Sequence, residues 1–318
     1  MDFPFSAKII FNRETGSFDD WLTLHNQHIG ASDAGGIMSL SSWDTPLSIY
    51  VHKKGLIPPK EENPNMRWGK LLETVIRREF PQDFREQEKK ELKVLECPYM
   101  YESLDHPFLV CDPDGLVEID GALGLLEIKR TTGRQAKYWK DDQVPDQYYA
   151  QVQHSLMILD LPFALVVCLM DSKLFWRYVP RKEIFIKEMV KLEKRFWNDF
   201  YLADQMPGPS GQDTDTDLLL ELYPRAENTL VDLGHSSDVE RYLELKEEIA
   251  TRKEEQELAK QKILLQLGGA HRAVADEHRI TRVTFEKPVF DIGLFKRDHP
   301  KLVEKYTGTT KVDFPRIN

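Results

Sequence analysis

Residues 111–130, CDPDGLVEIDGALGLLEIKR, set five acidic side chains into a segment whose other residues favour a buried strand. Strand side chains alternate between faces. In Leu126-Glu127-Ile128-Lys129 the two apolar residues therefore share one face, and Glu127 and Lys129 share the other. One face is core, and the other is chemistry or solvent. Upstream, residues 108–111 form a short apolar run, Asp112-Pro113-Asp114-Gly115 breaks it, and residues 116–119 resume a strand before the Asp120-Gly121 turn signal. A plain hairpin with solvated charges satisfies the same pattern, so the surrounding chain has to decide.

Helix signals flank these strands. Thr45 caps a helix, Pro46 occupies its first turn, Leu47, Ile49, Tyr50 and Val51 supply apolar surface, and Gly55 ends it. In MRWGKLLETVIRREF, Trp68, Leu71, Leu72, Val75, Ile76 and Phe80 recur at helical spacing, with Glu73 at the edge of the stripe. Residues 146–159, DQYYAQVQHSLMIL, read as a helix, 163–170 as a buried strand and about 181–202 as a further helix. The pattern predicts an α/β fold, a mixed sheet flanked by helices.

Three divisions follow from composition. A core is expected over 1–202. Residues 203–237 begin with the Pro-, Gly- and Asp-rich DQMPGPSGQDTDTDL and read as an acidic, exposed connection. Residues 238–318 are expected as a C-terminal helical extension packing on the core. Residues 238–267 form a charged helix there, stopped by Gly268-Gly269. Its heptad positions include Arg252, Gln256 and Gln266, so it suits one docked face better than a coiled coil. Residues 280–287 alternate like a strand, and 298–306 read as a short helix.

Charge and cysteine usage narrow the chemistry. The N-terminus shows no basic segment followed by a sustained apolar one, and the most apolar run, 161–170, is too short to span a bilayer, which points to the cytoplasm and away from membranes. Cys97, Cys111 and Cys168 are odd in number and widely spaced, against a disulfide framework or a cysteine-held metal. With no His-Glu-x-x-His either, any metal is held mostly by oxygen, which favours Mg²⁺ or Mn²⁺. The formal charge of −10 argues against a polyanionic partner until its distribution is read. Residues 201–240 hold nine acids against the single Arg225, whereas 129–197 hold thirteen Lys/Arg against eight acids. A local basic strip, not net charge, decides phosphate binding.

Asp114, Glu127 and Lys129 thus fall on adjacent strands, between a helix bearing Glu73 and a helix bearing Gln151 and Gln153. This layout suits a metal-dependent nuclease. Phosphodiester hydrolysis needs an activated water and neutralisation of charge in the transition state, both within reach of a carboxylate-held Mg²⁺. Asp114 and Glu127, with the Ile128 carbonyl, suffice as protein ligands, because Mg²⁺ keeps several waters. Lys129 would orient or deprotonate the water, its pKa lowered by the neighbouring cation.

In this order the chain carries Ile29-Gly30-Ala31-Ser32-Asp33-Ala34, Met66-Arg67-Trp68-Gly69-Lys70-Leu71-Leu72-Glu73, Pro113-Asp114-Gly115, Leu126-Glu127-Ile128-Lys129 and Ala150-Gln151-Val152-Gln153-His154. These motifs resemble the PD-(D/E)xK nucleases, specifically the YqaJ-like phage recombination exonucleases related to lambda exonuclease. The resemblance covers roughly residues 20–200, and the tail DHPKLVEKYTGTT also looks like those of YqaJ-like proteins. It implies a PD-(D/E)xK core and a 5′-to-3′ exonuclease of the alkaline-exonuclease type on ends of linear double-stranded DNA. Such an enzyme leaves 3′ tails for a single-strand annealing protein, works as a trimeric ring and is encoded by a phage or prophage. Asp114 and Glu127 would be metal ligands, Lys129 the water-handling base and Glu73 a supporting acid.

Ser32 and Gln153 would bind a terminal 5′-phosphate, Ser32 from a Gly-rich loop opening a helix, though it also fits a simple cap. Gln151 and Arg130 are further DNA-binding candidates. Of the two glutamines, Gln153 is the preferred one, since only one of two residues so spaced faces solvent cleanly. Two positions depart from the resemblance. Asp112 stands where Ser or Thr usually precedes Pro-Asp-Gly, and His25 and His28 stand where an Arg often precedes the Ser32 loop. Asp112 is expected at the phosphate, with a place in the metal site as the alternative. Asp105 is the nearest match to a further family acid. An endonuclease or Cas4-like end-processing nuclease, and a non-catalytic DNA-binding protein, are the competing readings. The isolated cysteines weigh against the second of these and the intact Asp114, Glu127 and Lys129 set against the last.

Overall fold

A computed structural model describes residues 5–59, 64–225, 229–310 and 317; of Asn65, Met66 and Lys70 only the backbone is described. In chain order, β1 (Ala7–Asn12), α1 (Phe18–Asn26), β2 (Ile29–Gly30), α2 (Ala34–Ile37), α3 (Pro46–Lys53) and α4 (Pro64–Glu88) precede β3 (Leu92–Leu95), β4 (Tyr99–Ser103), β5 (Leu109–Cys111), β6 (Gly115–Ile119) and β7 (Ala122–Thr131). Then come α5 (Asp146–Leu159), β8 (Phe163–Met170), β9 (Lys173–Pro180), α6 (Glu183–Arg195) and α7 (Asp213–Leu222). The chain falls into two compact units, 1–224 and 225–318.

The first unit has a five-stranded sheet in the order β3-β6-β7-β8-β9 and a four-stranded sheet in the order β1-β4-β5-β2. β7 and β8 run parallel, joined by the crossover through α5, and the other pairs of the larger sheet are antiparallel. The expected mixed α/β class is the observed one. Burial on both faces explains why β8, FALVVCLM, is a continuous apolar run.

The alternation in β7 sorts its side chains as the sequence requires. Leu126 and Ile128 pack with Val117, Leu165 and Val167 against Ile76, Phe80 and Phe84 of α4. Leu125 joins the opposite core, with Leu116, Ala164 and Val166 under Val152, Leu156 and Leu159 of α5. Burying a side chain such as Phe80 contributes about 1.5–3 kcal/mol. α4 continues past the expected end through Pro81 to Glu88, yet buries only part of its predicted stripe: Trp68, Leu71 and Val75 stay exposed.

α3 begins as expected, with Thr45 Oγ1 accepting the Ser48 N–H at 3.0 Å and the Ser48 hydroxyl accepting from Thr45 N. The residues after 202 are not a loose connection. They carry α7, whose buried Asp215 accepts from Thr45 Oγ1 at 2.5 Å, from Ser210 N at 2.6 Å and from Ser210 Oγ at 2.7 Å. The first unit therefore extends to Pro224. Composition counted the acids of this segment as solvated; a hydroxyl 170 residues away and a turn of its own satisfy one of them. Glu227, counted in the same acidic segment, lies outside the described residues.

In the second unit, α8 (Ser237–Leu267) buries only Leu267, and Tyr242, Leu245, Ile249 and Leu258 are exposed. β10 (Arg272–Ala275) and β11 (His278–Thr281) form a hairpin turning at Asp276, whose φ is +51°. The strand expected over 280–287 ends at Thr281, where its partner ends. Two helices, α9 (Ile292–Asp298) and α10 (Pro300–Tyr306), replace the single one expected over 298–306. No helix among the described residues is long and apolar enough to cross a membrane.

Candidate active site

The β6–β7 ladder stops at the pair Gly115–Leu126, and the side chain of Asp114 takes its place: Oδ2 accepts the Ile128 N–H at 2.7 Å. In an extended strand the N–H and C=O of one residue leave on the same edge. The Ile128 carbonyl accordingly emerges beside Asp114, where no β6 residue competes for it. Gly115 keeps this turn tight, since a Cβ there would meet the Leu95 carbonyl at 3.2 Å and Leu126 Cδ2 at 3.3 Å.

On the α5 side of β7, Glu127, Lys129 and Gln151 close a triangle. Lys129 Nζ lies 2.6 Å from Glu127 Oε1 and donates to Gln151 Oε1 at 3.0 Å, while Gln151 Nε2 donates to Glu127 Oε1 at 2.8 Å. Lys129 Nζ also sits over the Tyr148 ring, 4.8 Å from its centroid. From α4, Glu73 is held by Arg77 at 2.8 Å.

Electrostatics bind these acids into one group. Burial, then the Asp114 carboxylate, pushes Glu73 up to about 7. Burial also pushes Glu127 up to about 7, with Asp114 and Glu73 adding to it and Lys129 opposing. Burial lowers the proton affinity of Lys129, but Glu127 and Asp114 outweigh it, and the ammonium is raised above the ordinary lysine value. Expecting a lowered lysine assumed a neighbouring cation; beside these carboxylates alone, Lys129 is a charged donor. Carboxylates that repel one another while half out of water are a donor set a hard divalent cation relieves, and oxygen donors suit Mg²⁺. Among the described residues no three ligating side chains are already gathered for a metal; Glu127 is turned onto Lys129 and Gln151 instead.

The predicted phosphate residues part company. Gln153 is fully buried, its Nε2 donating to the Pro180 carbonyl and its Oε1 accepting from Lys182 N, both at 2.9 Å. It staples α5 to the β9–α6 corner, and Gln151 is the glutamine in the site. Ser32 is exposed on the turn between β2 and α2, with no hydrogen bond to the carboxylate group among the described residues. The glycines after it serve packing: a Cβ on Gly35 would approach Gln147 Cα to 3.0 Å. Arg130 points out from β7 and is exposed. Asp105 lines a separate depression with Arg181, Lys187 and Lys191. Of the basic residues of 129–197, Lys129, Arg130, Lys137 and Lys140 line one cavity and Arg181, Lys187, Lys191 and Lys194 another.

Asp112 is already engaged. Trp21 Nε1 donates to its Oδ2 at 2.8 Å, and Arg13 Nε lies 3.0 Å from its Oδ1, an ionic contact off the hydrogen-bonding direction. Arg13 Nη2 donates to the carbonyls of Cys97 and Pro113 at 2.6 and 2.7 Å. Sequence reasoning passed over Arg13. Its partners lie 84 and 100 residues away, and no local signal marks it. His25 stacks on Trp21 at 4.9 Å, and burial, then Lys53, lowers it to about 4, so it is neutral at physiological pH and no phosphate clamp. The three cysteines are buried and free, without the cluster a Cas4-like centre needs.

Residues 20–161 match the family described as YqaJ-like viral recombinase domain. The chain is 28% identical over 251 residues to the protein YqaJ of Bacillus subtilis, covering 77% of this chain and 76% of that one. Among solved structures it is similar to an alkaline exonuclease, LHK-Exo, from Laribacter hongkongensis, at 17% identity and a TM-score of 0.45, over 58% of this chain and 93% of that one. It is likewise similar to LHK-Exo in complex with dAMP, at the same identity and TM-score, over 64% and 96%.

Proposed function

Because residues 20–161 match the family of the YqaJ-like viral recombinase domain, we propose that the protein is a Mg²⁺-dependent exonuclease. It degrades the 5′-ended strand of linear duplex DNA and leaves 3′ tails for a single-strand annealing protein. The observation that carries the reading is the closed triangle of Glu127, Lys129 and Gln151 beside Asp114. Asp114, Glu127 and the Ile128 carbonyl are the groups that would hold Mg²⁺, and Mn²⁺ would substitute. When bound, the ion supplies Lewis acidity toward the phosphate and lowers the pKa of water.

The protein's own residues do the rest. Lys129, held charged, donates to a water or to a non-bridging phosphate oxygen and stabilises negative charge as it develops. Gln151 fixes both Glu127 and Lys129, so neither swings away when their mutual contact opens. Glu73, with a proton affinity near neutrality, is suited to take up or deliver a proton at its Oε atoms. Tyr148 limits the freedom of the Lys129 ammonium from below.

A ring of three copies is part of the same proposal, resting on the resemblance, and the exposed Trp68, Leu71 and Val75 of α4 give a second copy apolar surface to cover. The test is incubation with Mg²⁺ of linear duplex labelled at either end and of covalently closed duplex. Loss of the 5′ label from linear DNA alone is expected. Cutting of closed DNA would instead make the protein an endonuclease, and no cutting of either would remove the enzyme reading.

A further inference from the structure

A cavity of about 690 Å³ has its wall formed in part by Ile128, Lys129 and Arg130, and Lys129 connects it to Glu127. It combines two kinds of side chain that rarely line one protein pocket together. Arg130, Lys137 and Lys140 are exposed cations, none within ion-pair distance of a carboxylate among the described residues. Trp43 and Tyr138 are large aromatics left 59% and 51% exposed. The floor beneath them is fixed: Trp139 is buried, edge-on to Phe175 at 5.4 Å, and 6.0 Å from the Tyr148 ring that carries Lys129. Asp141 and Asp146 are the opposing charges in the lining.

Lysine is depleted from the centres of protein interfaces, and a small apolar ligand has no use for three cations without a carboxylate partner, of which, among the described residues, Lys137 alone is engaged, its Nζ over one face of the Tyr138 ring at 4.7 Å. An unpaired nucleic-acid strand uses both, its phosphates pairing with cations while its bases stack on aromatic faces. Duplex DNA uses only the first, because its base faces are already stacked on one another. We infer that this cavity binds single-stranded DNA beside Lys129, with Trp43 and Tyr138 as stacking platforms and Arg130, Lys137 and Lys140 as phosphate contacts. That the bound strand is the one being cut rests on the nuclease reading; the binding does not.

The test is fluorescence anisotropy with a labelled oligothymidylate and a labelled blunt duplex, titrated with the full chain in EDTA. Trp43→Ala and Tyr138→Ala are expected to weaken oligothymidylate binding by about tenfold each, Trp43→Phe and Tyr138→Phe by less than about threefold, and the duplex by less than about twofold throughout. The salt dependence should be unchanged in the aromatic variants and shallower by about one unit in Lys137→Ala and in Lys140→Ala. Oligothymidylate affinity unchanged in both alanine variants, equal losses for duplex and single strand, or no binding by the wild type would each overturn the assignment. Parallel cleavage assays keep the two readings apart. A wild type that binds through these residues without cutting removes the nuclease alone, and one that cuts while the alanine variants bind normally removes this cavity's role alone.

Discussion

His154 and Glu193 form a wholly buried pair, with Nδ1 of the imidazole 2.7 Å from Glu193 Oε1. The other ring nitrogen lies 3.0 Å from the Val110 carbonyl, which only accepts, so both nitrogens face acceptors and the geometry selects the doubly protonated ring. Burial opposes that charge, but Glu193, the Val110 carbonyl and the more distant Asp33 outweigh it and raise His154 above its ordinary 6.5. A group raised on folding stabilises fully below its unfolded pKa and loses that contribution as pH rises through the folded one. Urea unfolding should accordingly show a stability decline on the alkaline side of 6.5 that His154→Gln flattens. The substitution should itself cost about 3 kcal/mol by leaving the Glu193 charge buried alone. An identical pH profile in the variant would refute the assignment.

Asp114→Asn, Glu127→Gln and Lys129→Ala are each expected to reduce cleavage of linear duplex by at least about a hundredfold with the fold intact, since they remove transition-state stabilisation. Rates by gel, with circular dichroism as control, check this; near wild-type activity in any of the three would displace the site.

Ca²⁺ in place of Mg²⁺ should permit DNA binding with little turnover, because the larger ion accepts looser geometry. Full activity in EDTA would end the metal mechanism.

The two glutamines of α5 should separate cleanly. Gln151→Ala is expected to lower the rate at least about tenfold with a small change in stability. Gln153→Ala should instead lower stability by about 1–3 kcal/mol, because it leaves the Pro180 carbonyl and Lys182 amide without a partner. Denaturant midpoints set beside rates show which residue does which.

Asp112→Ser should lower stability by about 1–3 kcal/mol, as Arg13 and Trp21 lose a buried charged acceptor. It should also strengthen preference for 5′-phosphorylated over 5′-hydroxyl ends, because a repelling carboxylate goes and the Arg13 charge, still held by the carbonyls of Cys97 and Pro113, loses its anionic partner. Melting temperature, and rates on both end types, provide the check; a variant unchanged in both would show that the contacts carry nothing.

What the sequence made legible was local. The alternation of Leu126, Glu127, Ile128 and Lys129 placed each side chain on its observed side of β7, and the helix at 146–159 lies within its predicted bounds, closed by Asp160 in the left-handed region. What stayed hidden depends on partners far along the chain. Gln153 looked like a ligand because Pro180 and Lys182, its two partners, are 27 and 29 residues away. Asp215 looked solvated because Thr45 is remote, and Arg13 carried no periodicity to mark it. β9 was passed over because its mixture of charged and aromatic residues, KLFWRYVP, lacks a clean alternation. Buried polar residues are where pattern reading fails, because their satisfaction is a property of the assembled chain.

The contact between Thr45 and Asp215 sets where this chain can be divided. Thr45 caps α3 and donates the same hydroxyl's proton to a side chain of α7. A fragment ending at the last turn before residue 203 would strip that partner from a buried hydroxyl and remove Leu218 from the core it packs in. A fragment ending after Pro224 keeps both. Protease trimming, tag placement and exchange of the second unit between relatives therefore share one permissive seam, past α7, and the acidic stretch that resembles a linker belongs for the most part to the body it was thought to leave.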